Sequence, residues 1–88
     1  MVSVVIPNYN GEKFLKDCLE SLKRQTFEDM EVIMVDNGST DNSVGTAKEL
    51  YPEIRVVELG SNTGFAFAVN RGIEAAEGEY VLLSLIHI

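Results

Sequence analysis

Basic residues are scarce in this chain of 88 residues. Seven lysines and arginines stand against fourteen aspartates and glutamates, for a formal charge of −7, and only Lys23 and Arg24 are adjacent. A nucleic-acid backbone or an anionic membrane surface is recognised by clustered Lys and Arg, so neither is expected as a partner. Cysteine is scarcer still. The single Cys18 excludes an internal disulfide and a cysteine metal cluster. It falls among Phe14, Leu15, Leu19 and Leu22, the setting of a buried, inert thiol. No apolar run reaches the roughly 18 residues that a membrane helix requires. The first six residues, MVSVVI, lack the basic start and longer apolar core of a signal peptide. Cytoplasmic residence is the default expectation. The length allows one small domain, and 45% hydrophobic with 24% charged residues is the composition of an ordinary globular protein.

What is present is an alternation of character. Residues 2–6 are a β-branched run closed by Pro7, which reads as a buried strand. Residues 13–24 carry Phe14, Leu15, Cys18, Leu19 and Leu22 as a helical stripe with charges opposite. Residues 31–35 are a second buried strand. Residues 42–51 place Val44, Ala47, Leu50 and Tyr51 on one helical face, with Asp41 as N-cap and Pro52 beyond the end. Residues 54–59 read as a third strand. Residues 64–76 read as a third helix with Phe65, Ala68, Val69, Ile73 and Ala76 as its apolar stripe and Gly78 as its stop. Residues 80–83 open a fourth strand.

The order βαβαβαβ predicts an α/β fold, a three-layer Rossmann-like half-domain whose parallel sheet carries helices on its faces. Ligands of such sheets bind outside the carboxyl ends of the strands. Those ends are Pro7-Asn8-Tyr9-Asn10, followed by Gly11, and the glycine-containing stretches 36–41 and 60–64, which are polar segments of the chain.

The second of them, VDNGSTDN at 35–42, is open to several chemistries. An EF-hand calcium loop fails on spacing, because counting from Asp36 puts Gly38 at position 3 and Ala47 at position 12. A phosphoryl-accepting aspartate needs a lysine at another strand end, and none is there. Asn37-Gly38-Ser39 matches a glycan acceptor, which has meaning only in a secreted chain. The dinucleotide fingerprint G-x-G-x-x-G is absent after the first strand. A plain turn that starts the second helix also accounts for these residues.

VSVVIPNYNG, QTF, EVIMVDNGSTDNS, SNTGFAFAVNRGIEAA and GEYVLL, in this order and spacing, resemble the N-terminal half of a family 2 glycosyltransferase. The segment NTGFA is similar to the rhamnosyltransferase-type branch. The resemblance covers residues 1–83 as a nucleotide-sugar-binding half-domain and leaves 84–88 as an atypical apolar tail. It implies the nucleotide-diphospho-sugar transferase fold, a strand order 3-2-1-4, and a part in cell-surface polysaccharide synthesis. The implied partner is a nucleotide-diphospho-sugar, UDP- or dTDP-linked. By motif, Pro7, Asn8 and Tyr9 would line the base and ribose pocket, and Asp36 and Asn37 would meet the base, a side-chain oxygen accepting a pyrimidine N3–H. Asn62, Gly64 and Asn70 would border the diphosphate, near a helix N-terminus that suits an anion. Each has a plainer reading: Tyr9 as a core wall, Asn62 and Asn70 as capping and packing residues, Arg71 on a solvated face.

The family resemblance also implies an acidic motif after the fourth strand that holds Mg²⁺ or Mn²⁺ against the donor diphosphate. Here no acidic residue follows Glu79, and His87 is a lone imidazole in an apolar tail. The resemblance implies sugar transfer to an acceptor hydroxyl as the reaction of the parent, and a truncated, catalytically incomplete chain is expected. The rival expectation is a non-catalytic module that self-associates through the exposed edge of its fourth strand.

Overall fold

The computed structural model describes residues 1–24 and 29–83. The QTF segment and the 84–88 tail with His87 lie outside the described residues. Seven elements follow in the order β1 (Val2–Asn8), α1 (Glu12–Lys23), β2 (Met30–Asp36), α2 (Ser43–Leu50), β3 (Arg55–Glu58), α3 (Phe65–Ala75) and β4 (Tyr80–Leu83). All pairings are parallel, and the sheet order is β3-β2-β1-β4. The expected α/β architecture and strand order are therefore those observed. β1 continues through Pro7 to Asn8, rather than closing at Pro7. The backbone oxygen of Asn8 faces β2 and accepts from Asn37 N, so the imide of Pro7 faces the β4 side. There it lies past the last described pair, Val5 with Leu83, and the missing N–H costs the β1–β2 ladder nothing.

The alternation of strand side chains sorts the interior into two cores. Val4, Ile6, Val32 and Met34 meet Leu15, Leu19 and Leu22 of α1 and Ala47 of α2 on one face. Val5, Ile33 and Val35 meet Ala68 of α3 on the other. Three expectations need correction here. On α1, Phe14 sits off the Leu15–Leu19–Leu22 line and stays exposed, and Cys18 is only partly buried. On α3, Phe65 and Ile73 are 48% and 46% exposed, and the buried residues are Ala68 and Gly72. The cause is a close approach: a Cβ on Gly72 would collide with Val5 Cγ1 and lie 3.0 Å from Val35 Cγ2. Gly78 does not cap α3, which ends in an extended Ala76. It lies against β1, where a Cβ would come within 2.7 Å of the Met1 carbonyl oxygen.

The end of the sheet away from the strand carboxyl termini is tied together by one carboxylate. Glu31 accepts from Ser3 Oγ at 2.6 Å, from Glu77 N at 2.7 Å and from Arg55 Nη1 at 2.8 Å. Partial burial pushes its pKa up, but the bonds from Ser3, Glu77 and Arg55 outweigh this and hold it below the ordinary glutamate range. Gly78 N completes the knot by donating to Ser3 Oγ at 2.8 Å.

Candidate functional site

At the carboxyl ends of the strands, three loops are sewn to one another by side chains. Asn8 and Asp36 are in register on β1 and β2, and Asn8 Nδ2 donates to Asp36 Oδ1 at 3.1 Å. Ser39 Oγ donates to the same oxygen at 2.6 Å, and Ser39 N donates to Asp36 Oδ2 at 3.1 Å. Asn10 holds a positive φ of 52°, which a short amide tolerates, and its Oδ1 accepts from Thr40 N at 2.8 Å. Asp41 accepts from Ser43 N at 3.0 Å and from the Ser43 hydroxyl, and also from Glu12 N at 3.2 Å. Burial raises the pKa of Asp41, and the Ser43 and Glu12 donors more than compensate, so it lies below the usual aspartate value. Asn42, the residue at the cap of α2, makes no side-chain cap bond; Asp41, one position earlier, serves the first turn instead.

The third loop, residues 59–64, is joined to β2 through Asn37. Asn37 Oδ1 accepts from Thr63 N and from Thr63 Oγ1, both at 2.8 Å. Its Nδ2 donates to Asn62 Oδ1 at 3.0 Å and towards the Gly64 carbonyl at 3.4 Å. Asn62 Oδ1 also accepts from Gly64 N at 3.2 Å. Next to this amide, Gly38 has φ +83°, and a Cβ there would lie 2.6 Å from the Ser61 carbonyl carbon. Only glycine allows the two loops so close.

An open cleft of about 210 Å³ lies between these loops and α3, lined by Pro7, Asn8, Tyr9, Asn37, Asn62, Phe65 and Ala68. Complete small-molecule sites occupy roughly 300–1,000 Å³, so the cleft is smaller than a complete one. The structure brings Pro7, Asn8, Tyr9, Asn37 and Asn62 together there, and Gly64 borders it through Asn37 and Asn62. It does not bring Asp36 to the cleft. Asp36 is 5% exposed and is not among the lining residues; its carboxylate is bonded to Asn8, which is, whereas Asn37 continues the Val35 face towards α3. Nor does it bring Asn70, which is exposed on α3 away from the Ala68–Gly72 line. Asn8 Oδ1 is buried and has no partner among the described residues.

Two lining residues, Phe65 and Ala68, were expected in the core stripe of α3. Hydropathy cannot separate a pocket wall from a core residue. The one available signal is position: Phe65 opens a helix directly after Gly64, at a strand-carboxyl loop. Among the described residues, no group of three His, Cys, Asp or Glu side chains could hold a metal ion. The Asp36 and Asp41 carboxylates are occupied by the loop contacts above. No described helix is long and apolar enough to cross a membrane.

Comparison with known proteins agrees with this geometry. The chain is 47% identical over 83 residues to the uncharacterized glycosyltransferase YibD of Escherichia coli, covering 91% of this chain and 24% of that protein. It is 42% identical to the poly(ribitol-phosphate) beta-glucosyltransferase of Bacillus spizizenii, covering 92% of this chain and 14% of that protein. Among solved structures, residues 1–349 of S. aureus TarS in complex with UDP superimpose with a TM-score of 0.90 at 33% identity, over 97% of this chain and 27% of that one. The mannosyltransferase PcManGT of Pyrobaculum calidifontis, in complex with GDP-Man and Mn²⁺, gives 0.90 at 27% identity, over 97% and 27% respectively. The chain spans about a quarter of the length of the first of these relatives. The family model described as glycosyl transferase family 2 matches residues 3–84, and the protein belongs to that family.

Proposed function

We propose that residues 1–83 form the nucleotide-binding half of a glycosyltransferase and that the cleft between Tyr9, Asn37 and α3 receives the nucleotide of a nucleotide-diphospho-sugar. The observation that carries this reading is the cleft itself. It sits at the strand carboxyl ends, where open α/β sheets bind ligands, and its lining includes the aromatic side chains of Tyr9 and Phe65 and the amides of Asn8, Asn37 and Asn62. Tyr9 and Phe65 are the lining side chains on which a base could stack. Gly64, with φ +92°, leads directly into α3, whose first N–H groups favour a diphosphate. UDP in TarS and GDP-Man in PcManGT support a nucleotide-sugar of this class as the ligand.

The reaction of the whole protein would be sugar transfer. An acceptor hydroxyl oxygen bonds to the anomeric carbon, the bond from that carbon to the diphosphate breaks, the nucleoside diphosphate leaves, and the hydroxyl proton passes to a base. The described residues do not supply a metal cluster, so no step through Mg²⁺ or Mn²⁺ is assigned to them. Titration calorimetry with UDP, dTDP and GDP, with and without Mn²⁺, tests the reading. Binding that weakens in Tyr9→Ala supports it, and no binding of any of the three refutes it.

One observation favours a second reading, association between copies. All four residues of β4 are exposed, from Val81 and Leu83 at 43% to Tyr80 at 69%, and among the described residues the strand pairs only with β1. An apolar strand with an unpaired edge is a template for another strand.

A further inference from the structure

A serine hydroxyl has one proton to give and two lone pairs to accept with. On Ser39 all three are in use. Asn10 N donates to Ser39 Oγ at 2.9 Å and Asn8 Nδ2 donates to it at 3.2 Å, while its own proton goes to Asp36 Oδ1 at 2.6 Å. Chemistry fixes these directions, since a peptide N–H and an amide NH₂ only donate and a carboxylate only accepts. Asp36 takes hold of Ser39 a second time, because its other oxygen accepts from Ser39 N at 3.1 Å. The hydroxyl is thereby anchored to the end of β2, where Asp36 is in register with Asn8 of β1. The two residues tied to that one oxygen, Asn8 and Asn10, are the chain neighbours of Tyr9 on either side. Tyr9 lines the cleft and is 45% exposed, and its hydroxyl has no partner among the described residues. Ser39 is not among the lining residues.

We infer that Ser39 is a positioning residue for the cleft: its hydroxyl holds Tyr9 in place by clasping the residue before it and the residue after it. The part of this that concerns a ligand rests on the nucleotide reading above. Asn10 supplies the reason a clasp is needed. Its φ of 52° lies in the left-handed region, where a residue other than glycine stays only when its surroundings hold it. Relaxation of Asn10 to a negative φ would redirect the chain directly beside Tyr9. Ser39 Oγ opposes this at Asn10 N, and Thr40 N and Asp41 N oppose it by donating to Asn10 Oδ1 at 2.8 and 3.3 Å. A side chain already in place when a ligand arrives does not have to be ordered on binding, and that ordering is otherwise subtracted from affinity. Ser39→Ala leaves the Asn10 Oδ1 contacts and removes the shared oxygen, so it isolates the clasp.

Two measurements on the 88-residue chain test this. The first needs no ligand. In the wild type, Asn10 N–H should be protected from hydrogen exchange and the Tyr9 backbone amide should have an NMR order parameter of about 0.85. In Ser39→Ala the Tyr9 value should fall below about 0.6, with Val4 and Val32 of the core strands unchanged. A freely exchanging Asn10 N–H or a mobile Tyr9 in the wild type would overturn the inference, as would an equally rigid Tyr9 in the variant. The second measurement is a double-mutant cycle with whichever of UDP, dTDP and GDP binds the wild type. Ser39→Ala should weaken binding by about two- to tenfold, the cost of ordering one side chain at a binding surface. In a Tyr9→Ala background the same substitution should change affinity by less than about twofold. An equal loss in both backgrounds would make Ser39 a plain structural residue and overturn its action through Tyr9. If no nucleotide binds while Tyr9 loses its order in Ser39→Ala, the nucleotide reading falls and the clasp is upheld.

Discussion

Gly72 of α3 and Val5 of β1 approach so closely that a single methyl group would not fit between them. The helix thereby lies low across β1 and β2, and its height sets the depth of the cleft that Phe65 and Ala68 line one to two turns earlier. Gly72→Ala gains helix propensity of about 1 kcal/mol. The overpacking against Val5, fully buried in the central strand, costs about 1–3 kcal/mol and should outweigh it. Urea denaturation should show a net loss of up to about 2 kcal/mol. An unchanged or raised midpoint would mean that Val5 yields.

The Glu31 knot makes stability depend on acid. A carboxylate whose folded pKa is depressed adds stability that is fully present above its unfolded value, near 4.5 for glutamate, and is lost as pH falls through the folded value. Asp41, also depressed, acts in the same direction from its ordinary value of 3.8 downwards. Thermal melting should therefore be flat near neutrality and fall below about pH 4.5. Glu31→Gln should lower the plateau and flatten the acid limb. An identical acid limb in that variant would remove Glu31 from the account.

Asp41 also serves the first turn of α2. Asp41→Ala strips the acceptor from Ser43 N and from Glu12 N, and should cost about 0.5–2 kcal/mol, the range for lost helix caps. Asn42→Ala, at the neighbouring position without a side-chain cap bond, should cost less. Paired denaturation curves decide the order.

Tyr9 is 45% exposed, so its removal leaves the cores intact while stripping one wall of the cleft. Tyr9→Ala should weaken UDP binding by about tenfold, from the 1–3 kcal/mol of a base–aromatic contact, with an unchanged melting temperature. Calorimetry showing full affinity would place the base elsewhere.

The open edge of β4 should drive concentration-dependent association. Light scattering should report species larger than a monomer at high concentration, and Leu82→Lys should return the chain towards monomer. A monodisperse wild-type monomer would count against the second reading.

The strands and their order were legible because β-branched runs at 2–6, 31–35 and 54–59 alternate with helical stripes, and parallel crossovers leave few topologies. The three carboxyl-end loops were legible for the same reason. The face of α3 was not. Periodicity ranks residues by hydropathy, so Phe65 and Ile73 looked buried, whereas the low seat of the helix admits only Ala68 and Gly72. Gly78 was misread because a glycine that permits contact with Met1 and Ser3 looks the same in sequence as one that ends a helix. The separation of Asp36 from Asn37 is the reverse case. Adjacent strand residues face opposite ways, so once Val35 is assigned to the α3 side Asn37 continues that side and Asp36 does not, although Asn8, in register with Asp36, still reaches the cleft.

The sheet order also imposes a timetable on folding. β1 is central, yet its two neighbours are made at very different times: β2 begins at Met30, while β4 begins at Tyr80 and the Ser3–Gly78 contact joins positions 75 residues apart. During synthesis at about 5–20 residues per second, one flank of β1 stays open for seconds after the other has closed. The nascent chain thus carries a bare, valine-rich strand until the segment around Tyr80 emerges. The interval before that strand finds its second neighbour, rather than the stability of the finished fold, is when this sequence is most open to capture by another chain.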